Sequence, residues 1–533
     1  MVEEEKKKHG AFFTASDITK YLVKRVIKTT DQVILEPSFG DGVFIDAIVD
    51  YYNGKRQAEK LKENFYGVEI RKEAIEPYRT NSYLDKNKLL NEDFLRSQPF
   101  QVDVVLGNPP YVSLNKTTEK GRNAALDILK FWDYKMPLNG SLWVPFILHS
   151  MSFLKQGGIL AFVLPYEMAY VKYTKRLWKL LSDNFSELHL IRVFQDIFPD
   201  VDVETILFIA KGYGGSTKYV TYEIYKDKKQ LFDENIQKSN KIIIKDILDG
   251  DKPFTSSLLK KEHTKVINSL RSRGLIKPIS TTCKFNIGYV CADKVYFHPT
   301  ESVIKKYSLK DEELISAIPN AKVLKNGAGL FINSNFIKTK LFLPKSGNLS
   351  DGTSRYIEYG INSGVNLRFK CRNRKPWYIT PGVDIPDIIL TVFGDRAGLY
   401  INRGNAAASN SLLCGFLQSK MKPEEIAVSW YNSITQLSIE LKIHSLGGGV
   451  LVFIPGEADM IEVIDSNLVK NIKSSFVKRL DKLIKNNNFD SAYALGDEIV
   501  LRDIGVSDYE LKLVREAIDI LREWRNSKLR KGI

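Results

Sequence analysis

At 533 residues the chain is too long for a single core, and 44% hydrophobic with 26% charged residues is the balance of a soluble globular protein, so two domains are expected. The longest apolar runs, such as Gly158–Pro165, fall far short of a membrane span; the start MVEEEKKKHG lacks the apolar stretch of a secretory signal; and Cys283, Cys291, Cys371 and Cys414 show no CxxC spacing, all of which points away from a membrane, from disulfides and from a structural metal. The net charge of +15 is uneven, with 34 basic against 32 acidic residues in 1–240, 44 against 31 in 241–533, and 14 against 5 in 321–420, so the second half either meets a polyanion or carries a solvated lysine-rich surface.

In chain order, the apolar runs QVIL (32–35), FYGVEI (65–70), VDVVL (102–106), ILAFVL (159–164), ELHLIRVF (187–194) and ETILFIA (204–210) read as strands. The stretches between them carry helical spacing, for example Leu142, Phe146, His149, Phe153 and Leu154. This alternation predicts an α/β domain with a largely parallel sheet, covered on both faces and binding its ligands at the carboxyl ends of the strands. The segment GYGGS (212–216) marks either the end of the sheet or a turn between its last strands, and lysine-rich 222–246 reads as a linker. Residues 250–455, with short strand-like runs and interleaved aromatics, predict a mixed α+β or β-rich domain. Residues 457–530 read as helical, with Leu511, Val514, Ala517, Ile518, Leu521 and Trp524 on one face behind a capping box of Ser507 and Glu510. The expected division is 1–240 and 241–533.

Four strand ends carry polar residues. In ILEPSFGDGVF (34–44) a strand runs into Glu36 and Pro37, and a loop with Gly40 and Gly42 opens a helix; glycines admit close backbone approach and a helix N-terminus offers free amides. It is not GxGxxG, and no lysine stands in P-loop position, which disfavours triphosphates. Glu69 ends the second strand, where nucleoside-binding sheets place a ribose acceptor, although its spacing from Gly42 exceeds the roughly 20 residues of dinucleotide folds. Asp93, in NEDF (91–94), offers an acceptor for an adenine amine or serves as a turn residue. The fourth end is Asn108-Pro109-Pro110-Tyr111, directly after VDVVLG. An exocyclic amine on a base is a poor nucleophile because its lone pair is delocalised into the ring. Two fixed acceptors, the Asn108 side-chain oxygen and the Pro109 carbonyl, draw its hydrogens out of the ring plane, while the prolines stiffen the turn and add no competing N–H. Tyr111 offers a face for the base.

GNPPY after VDVVL, with EPSFGDG upstream, resembles the S-adenosylmethionine-dependent N6-adenine DNA methyltransferases, and the motif order resembles their gamma class, in which a target recognition domain follows the catalytic motif. GAFFTASDITKYLV (10–23) resembles the N-terminal cofactor motif, with Ala15 where the family has proline. The resemblance spans about residues 9–212. It implies a Rossmann-like methyltransferase sheet, a mixed α+β DNA-recognition domain and C-terminal helices. Thr14, Glu36, Pro37, Phe39, Gly40 and Gly42 would hold the methionine part of S-adenosylmethionine. Glu69 would hold its ribose and Asp93 its adenine amine, with Ile70 and Phe94 against the ring; Phe146 stands where the family often has an aromatic beside the cofactor or is a core residue. Asn108, Pro109, Pro110 and Tyr111 would hold the target amine, and Phe198, in DIFPDVDVE (196–204), would stack on a flipped adenine.

The basic second half would choose the site in double-stranded DNA. RFKCRNRKPWY (368–378) supplies Arg368, Lys370, Arg372, Arg374 and Lys375 beside three aromatics, and Arg396 lies in a second loop, GDRAGLYINRGN (394–405). No metal is expected, since a sulfonium leaves as a neutral thioether. No PD…(D/E)xK pattern is evident, so any restriction endonuclease is expected to be a separate chain, and the family implies a cytoplasmic, DNA-associated protein of a prokaryote. Methylation of RNA or of a protein glutamine, cytosine N4 methylation, and a non-catalytic specificity subunit are the alternatives.

Overall fold

The computed structural model describes residues 15–526 apart from 194–203, 234–235, 237, 251, 346, 348, 395, 419–420, 446–448 and 472–473. The chain divides into two units, one running to Leu258 and the other spanning Leu259–Asn526. The boundary falls beyond residue 240 because the stretch read as a linker, 222–246, is not one. It holds most of one strand and the whole of another, β8 (Tyr219–Tyr225) and β9 (Lys238–Ile243), which pair with each other and extend the first unit's sheet.

That sheet has nine strands. The others are β1 (Ile34–Glu36), β2 (Phe65–Val68), β3 (Leu89–Leu90), β4 (Val102–Gly107), β5 (Leu154–Pro165), β6 (Phe185–Val193) and β7 (Thr205–Tyr213), in the order β3-β2-β1-β4-β5-β7-β6-β8-β9. The first five are parallel, as expected, but β7 runs antiparallel to both β5 and β6. The connection from Val193 to Thr205 is too short for a helical crossover, so β7 must return in the opposite direction. Gly214 and Gly215 lie in the turn between β7 and β8.

Helix α1 (Ser16–Val26) places Ile18, Leu22 and Val26 on one stripe, and these share a core with Phe44, Ile45 and Ile48 of α2 (Val43–Gly54) and with Ile34, Val104 and Leu106 of the sheet. Every residue of helix α3 (Trp143–Met151) is buried, the polar His149 and Ser150 included. Two features position the site. Pro37 and the prolines after Asn108 have no N–H to donate, so β1 and β4 stop there. And β1 pairs with β2 on one side and β4 on the other, which makes the β1/β4 edge the point where strand order reverses and a crevice opens.

The second unit is mixed α+β. One sheet joins β10 (Cys283–Ile287), β17 (Leu412–Leu417), β14 (Ile388–Thr391), β15 (Leu399–Asn402) and β12 (Phe331–Ile332), and another joins β13 (Thr339–Phe342), β11 (Leu314–Ile318) and β16 (Ala407–Ala408). Beside the second sheet, α4 (Asp351–Asn362) contributes Tyr356 to an aromatic core in which Tyr296 and Tyr356 stack at 4.6 Å. Near the C-terminus, Arg522 and Arg525 of α6 (Asp508–Asn526) donate to Glu440 of α5 (Ser433–Lys442) at 3.1 and 2.9 Å. The expected capping box is present: the Glu510 N–H donates to Ser507 Oγ and the Ser507 N–H to Glu510 Oε2. Leu513 takes the inward position expected of Leu511. Among the described residues no helix is long and apolar enough to cross a membrane.

Candidate active site

The carboxyl ends of β1 and β4 are neighbours. Leu35 is in register with Val105, which brings the loop after Glu36 alongside the loop after Gly107, and the Ser38 hydroxyl donates to the Asn108 carbonyl at 3.3 Å. Glu36 is 1% exposed, and among the described residues neither of its carboxylate oxygens has a hydrogen-bond partner. Burial pushes its carboxyl well above the ordinary carboxylate range, and the charges of Glu69 and Asp46 push further the same way. Among the described residues the site therefore holds a buried acid that forms no ion pair.

Glu69 closes the glycine loop. Its Oε2 accepts from the Gly40 N–H at 2.8 Å and its Oε1 from the Arg71 N–H at 2.8 Å, while the Arg71 guanidinium bridges Glu69 and Asp41. Asn91 Nδ2 donates to the carbonyls of Glu69 and Ile70, which ties the β2 and β3 ends together. Asp93 accepts from the Leu95 N–H, and burial raises its carboxyl. Ile70 is 57% exposed whereas Phe94 is buried, its ring 5.3 Å from that of Phe146. Phe146 thus packs in the core beside Phe94. Phe39 is buried and lies edge-on to Tyr78.

Gly42 has φ of 80°, and a Cβ there would lie 1.9 Å from Tyr78 Oη, which itself donates to the Asp41 carbonyl. Gly42→Ala is expected to cost about 1–3 kcal/mol from the left-handed backbone alone, with the clash in addition. Thermal melts check it: adding Tyr78→Ala should recover the steric part and leave the backbone part.

On the β4 side, Asn108 is half-buried and Pro109 buried. Burial pushes the Tyr111 phenol up, and the Glu167 carboxylate adds to the shift. Tyr111, Val112, Ser113, Lys116, Asn139, Ser141 and Glu167 line a cavity of about 380 Å³. Glu167, two residues past β5, accepts from Trp143 Nε1 at 2.8 Å and from the Tyr173 hydroxyl at 3.1 Å.

Comparison with known proteins adds the family. The model for N-6 DNA methylase matches residues 1–267, half of the chain. The chain belongs to the N-6 DNA methylase family. A further model, the C-terminal domain of the type II methyltransferase M.Eco57I, matches residues 251–501. The type II methyltransferase M.AccI of Acinetobacter calcoaceticus is 25% identical over 520 residues, covering 93% of this methylase and 92% of the relative. M.BstVI of Geobacillus stearothermophilus is 25% identical over 374 residues, covering 59% and 64%. Among solved structures, the type IIL restriction-modification enzyme MmeI in complex with DNA is similar in fold, with a TM-score of 0.54 and 13% identity over 98% of this methylase and 76% of that chain. The methylase is adenine-specific and acts on DNA.

The structure brings Glu36, Pro37, Phe39, Gly40, Gly42, Glu69, Ile70, Asp93, Phe94, Asn108, Pro109, Pro110 and Tyr111 of the methylase to one edge of one sheet. Thr14 and Phe198 lie outside the described residues. In the second unit the cations separate into two kinds. Arg368, Lys370, Arg372 and Lys375 are exposed, whereas Arg374 donates to the Val290 carbonyl at 2.6 Å and Arg396 to Asp490 at 2.7 Å. Sequence reasoning missed the cavity residues Glu167 and Ser141, and Trp143, which donates to Glu167; the one signal for Glu167 was an acidic residue just past the apolar run ILAFVL.

Proposed function

We propose that the methylase binds S-adenosylmethionine at the carboxyl end of β1, takes an adenine turned out of duplex DNA at the end of β4, and methylates its N6. The observation that carries this reading is the adjacency of the two ends: the buried carboxylate of Glu36, without a hydrogen-bond partner among the described residues, next to the Asn108–Tyr111 turn. The residues fit the cofactor, because a buried acid suits the methionine ammonium and the positive-φ Gly40 leaves open space, Arg71 Nη2 at 3.8 Å being the nearest atom that a Cβ there would meet. S-adenosylmethionine would supply an electrophilic methyl carbon and leave as a neutral thioether.

Glu36 would bind the ammonium, Glu69 the ribose hydroxyls and Asp93 the adenine amine. Asn108 Oδ1 and the Pro109 carbonyl would accept the two N6 hydrogens and hold the lone pair toward the methyl group. Tyr111 would stack on the base. Catalysis would rest on positioning and fixed dipoles rather than on a strong base. The exposed cations of the second unit would grip phosphates, and a separate restriction endonuclease would be the partner enzyme. Methyl-labelled cofactor with duplex DNA, followed by nucleoside analysis, tests the reading: label in N6-methyl-2′-deoxyadenosine supports it, and label in cytosine, in RNA alone or nowhere contradicts it.

Phe198→Ala is expected to reduce the fluorescence of 2-aminopurine placed at the target position, while leaving cofactor affinity near wild type, because stacking on a flipped base is worth about 1–3 kcal/mol. Unchanged fluorescence would remove Phe198 from this role.

A further inference from the structure

In residues 365–372 of the second unit, apolar and polar side chains alternate, the polar ones basic at 368, 370 and 372, and burial divides the apolar ones into two pairs. Val365 and Cys371 are 6% and 0% exposed and belong to the aromatic core around Tyr296 and Tyr356. Leu367 and Phe369 are 71% and 70% exposed. The inward anchors fix the segment from beneath, so the two outward side chains are held in water. Each is flanked by cations: Arg368 lies between them and Lys370 follows, both exposed, and the Arg372 guanidinium stands 5.5 Å from the Phe369 ring centre. Arg368 also pairs at 3.4 Å with Asp293, two residues from Val295, which is 86% exposed.

A large aromatic held in water between cations calls for a ligand whose edges are anionic and whose interior is apolar and stacked. A duplex base step framed by phosphates has this chemistry. We propose that Leu367 and Phe369 form a wedge that enters a base step of the bound duplex and bends it, while Arg368, Lys370 and Arg372 hold the flanking phosphates. This deepens the reading of the chain as a DNA methylase and rests on it. The wedge would sense how easily a step unstacks, which selects sequence without reading base edges.

The test uses the full chain and a duplex containing its methylation site, with dyes at both ends to report bending. Leu367→Ala/Phe369→Ala is expected to weaken DNA binding about tenfold and to reduce the bend, with no change in the slope of log affinity against log salt. Lys370→Ala is expected to lower that slope by about one and keep the bend. Both sites are exposed, and an unchanged melting temperature shows that the variants fold. A double variant that binds and bends DNA like wild type overturns the wedge. So does one whose only defect is lost binding to phosphatidylglycerol vesicles, since the strip would then face a membrane. Methylation by wild type is scored in the same samples: if it is absent, the methylase reading and the wedge fall together; if it is present with an unaffected variant, the wedge alone falls.

Discussion

Asn108→Ala is expected to lower the rate of methyl transfer in a single turnover by about 10²–10³-fold, with cofactor and DNA affinities close to wild type. The amine of adenine is conjugated with its ring, so its lone pair is available only when both hydrogens are drawn out of plane. Of the two acceptors, the Pro109 carbonyl survives the substitution because it belongs to the backbone. The lost interaction strengthens as the amine becomes tetrahedral, so it acts on the rate more than on binding. The Ser38 hydroxyl bond to the Asn108 carbonyl also survives, which keeps the turn in place. Retention of more than a tenth of the wild-type rate would contradict the assignment.

Glu36→Gln has the second largest expected effect, on cofactor binding. A charge-assisted hydrogen bond to a buried carboxylate is worth about 1.5–3 kcal/mol, or about ten- to a hundredfold in affinity. The pH dependence gives the sharper signature. Without ligand, burial holds the Glu36 carboxyl well above its ordinary value of 4.5, which favours the neutral acid. A bound cation favours the carboxylate, so binding releases a proton, and affinity should rise with pH until Glu36 ionises in the free protein as well. In the glutamine variant this rise should vanish. Stability runs the other way. Because the folded pKa is raised, the carboxyl's contribution is fully present below its unfolded value and lost as pH rises through the folded one. Glu36→Gln should therefore melt higher than wild type at alkaline pH while binding cofactor worse, as measured by calorimetric titration and melts across pH. A variant that binds as tightly as wild type with the same pH slope would remove Glu36 from the site.

Much of the first unit was legible. The apolar runs from QVIL to ETILFIA fall on β1, β2, β4, β5, β6 and β7, because strands buried on both faces are continuous apolar segments. Strand direction was less legible, since periodicity carries no sign; only the short connection from Val193 to Thr205 forces β7 antiparallel. β8 was missed for a different reason. Its Glu223 is 2% exposed and looks like a linker residue, but its carboxylate is held by Arg25, His189 and Tyr225 from around the sheet, and that network is invisible in the local sequence. At the site, residues within a strand-end motif were readable together, whereas Glu167 belongs to no motif and reaches the Tyr111 cavity only through the fold. Of the basic residues, Arg374 and Arg396 had turned to protein partners, a distinction that charge counting cannot make.

The most direct measurement is single-molecule sequencing of DNA from a methylation-free bacterial host that expresses this chain alone. N6-methyladenine confined to one short sequence motif is the expected result. Unmodified DNA, or modification on cytosine, would contradict the assignment of Asn108–Tyr111 as an adenine N6 methylation site.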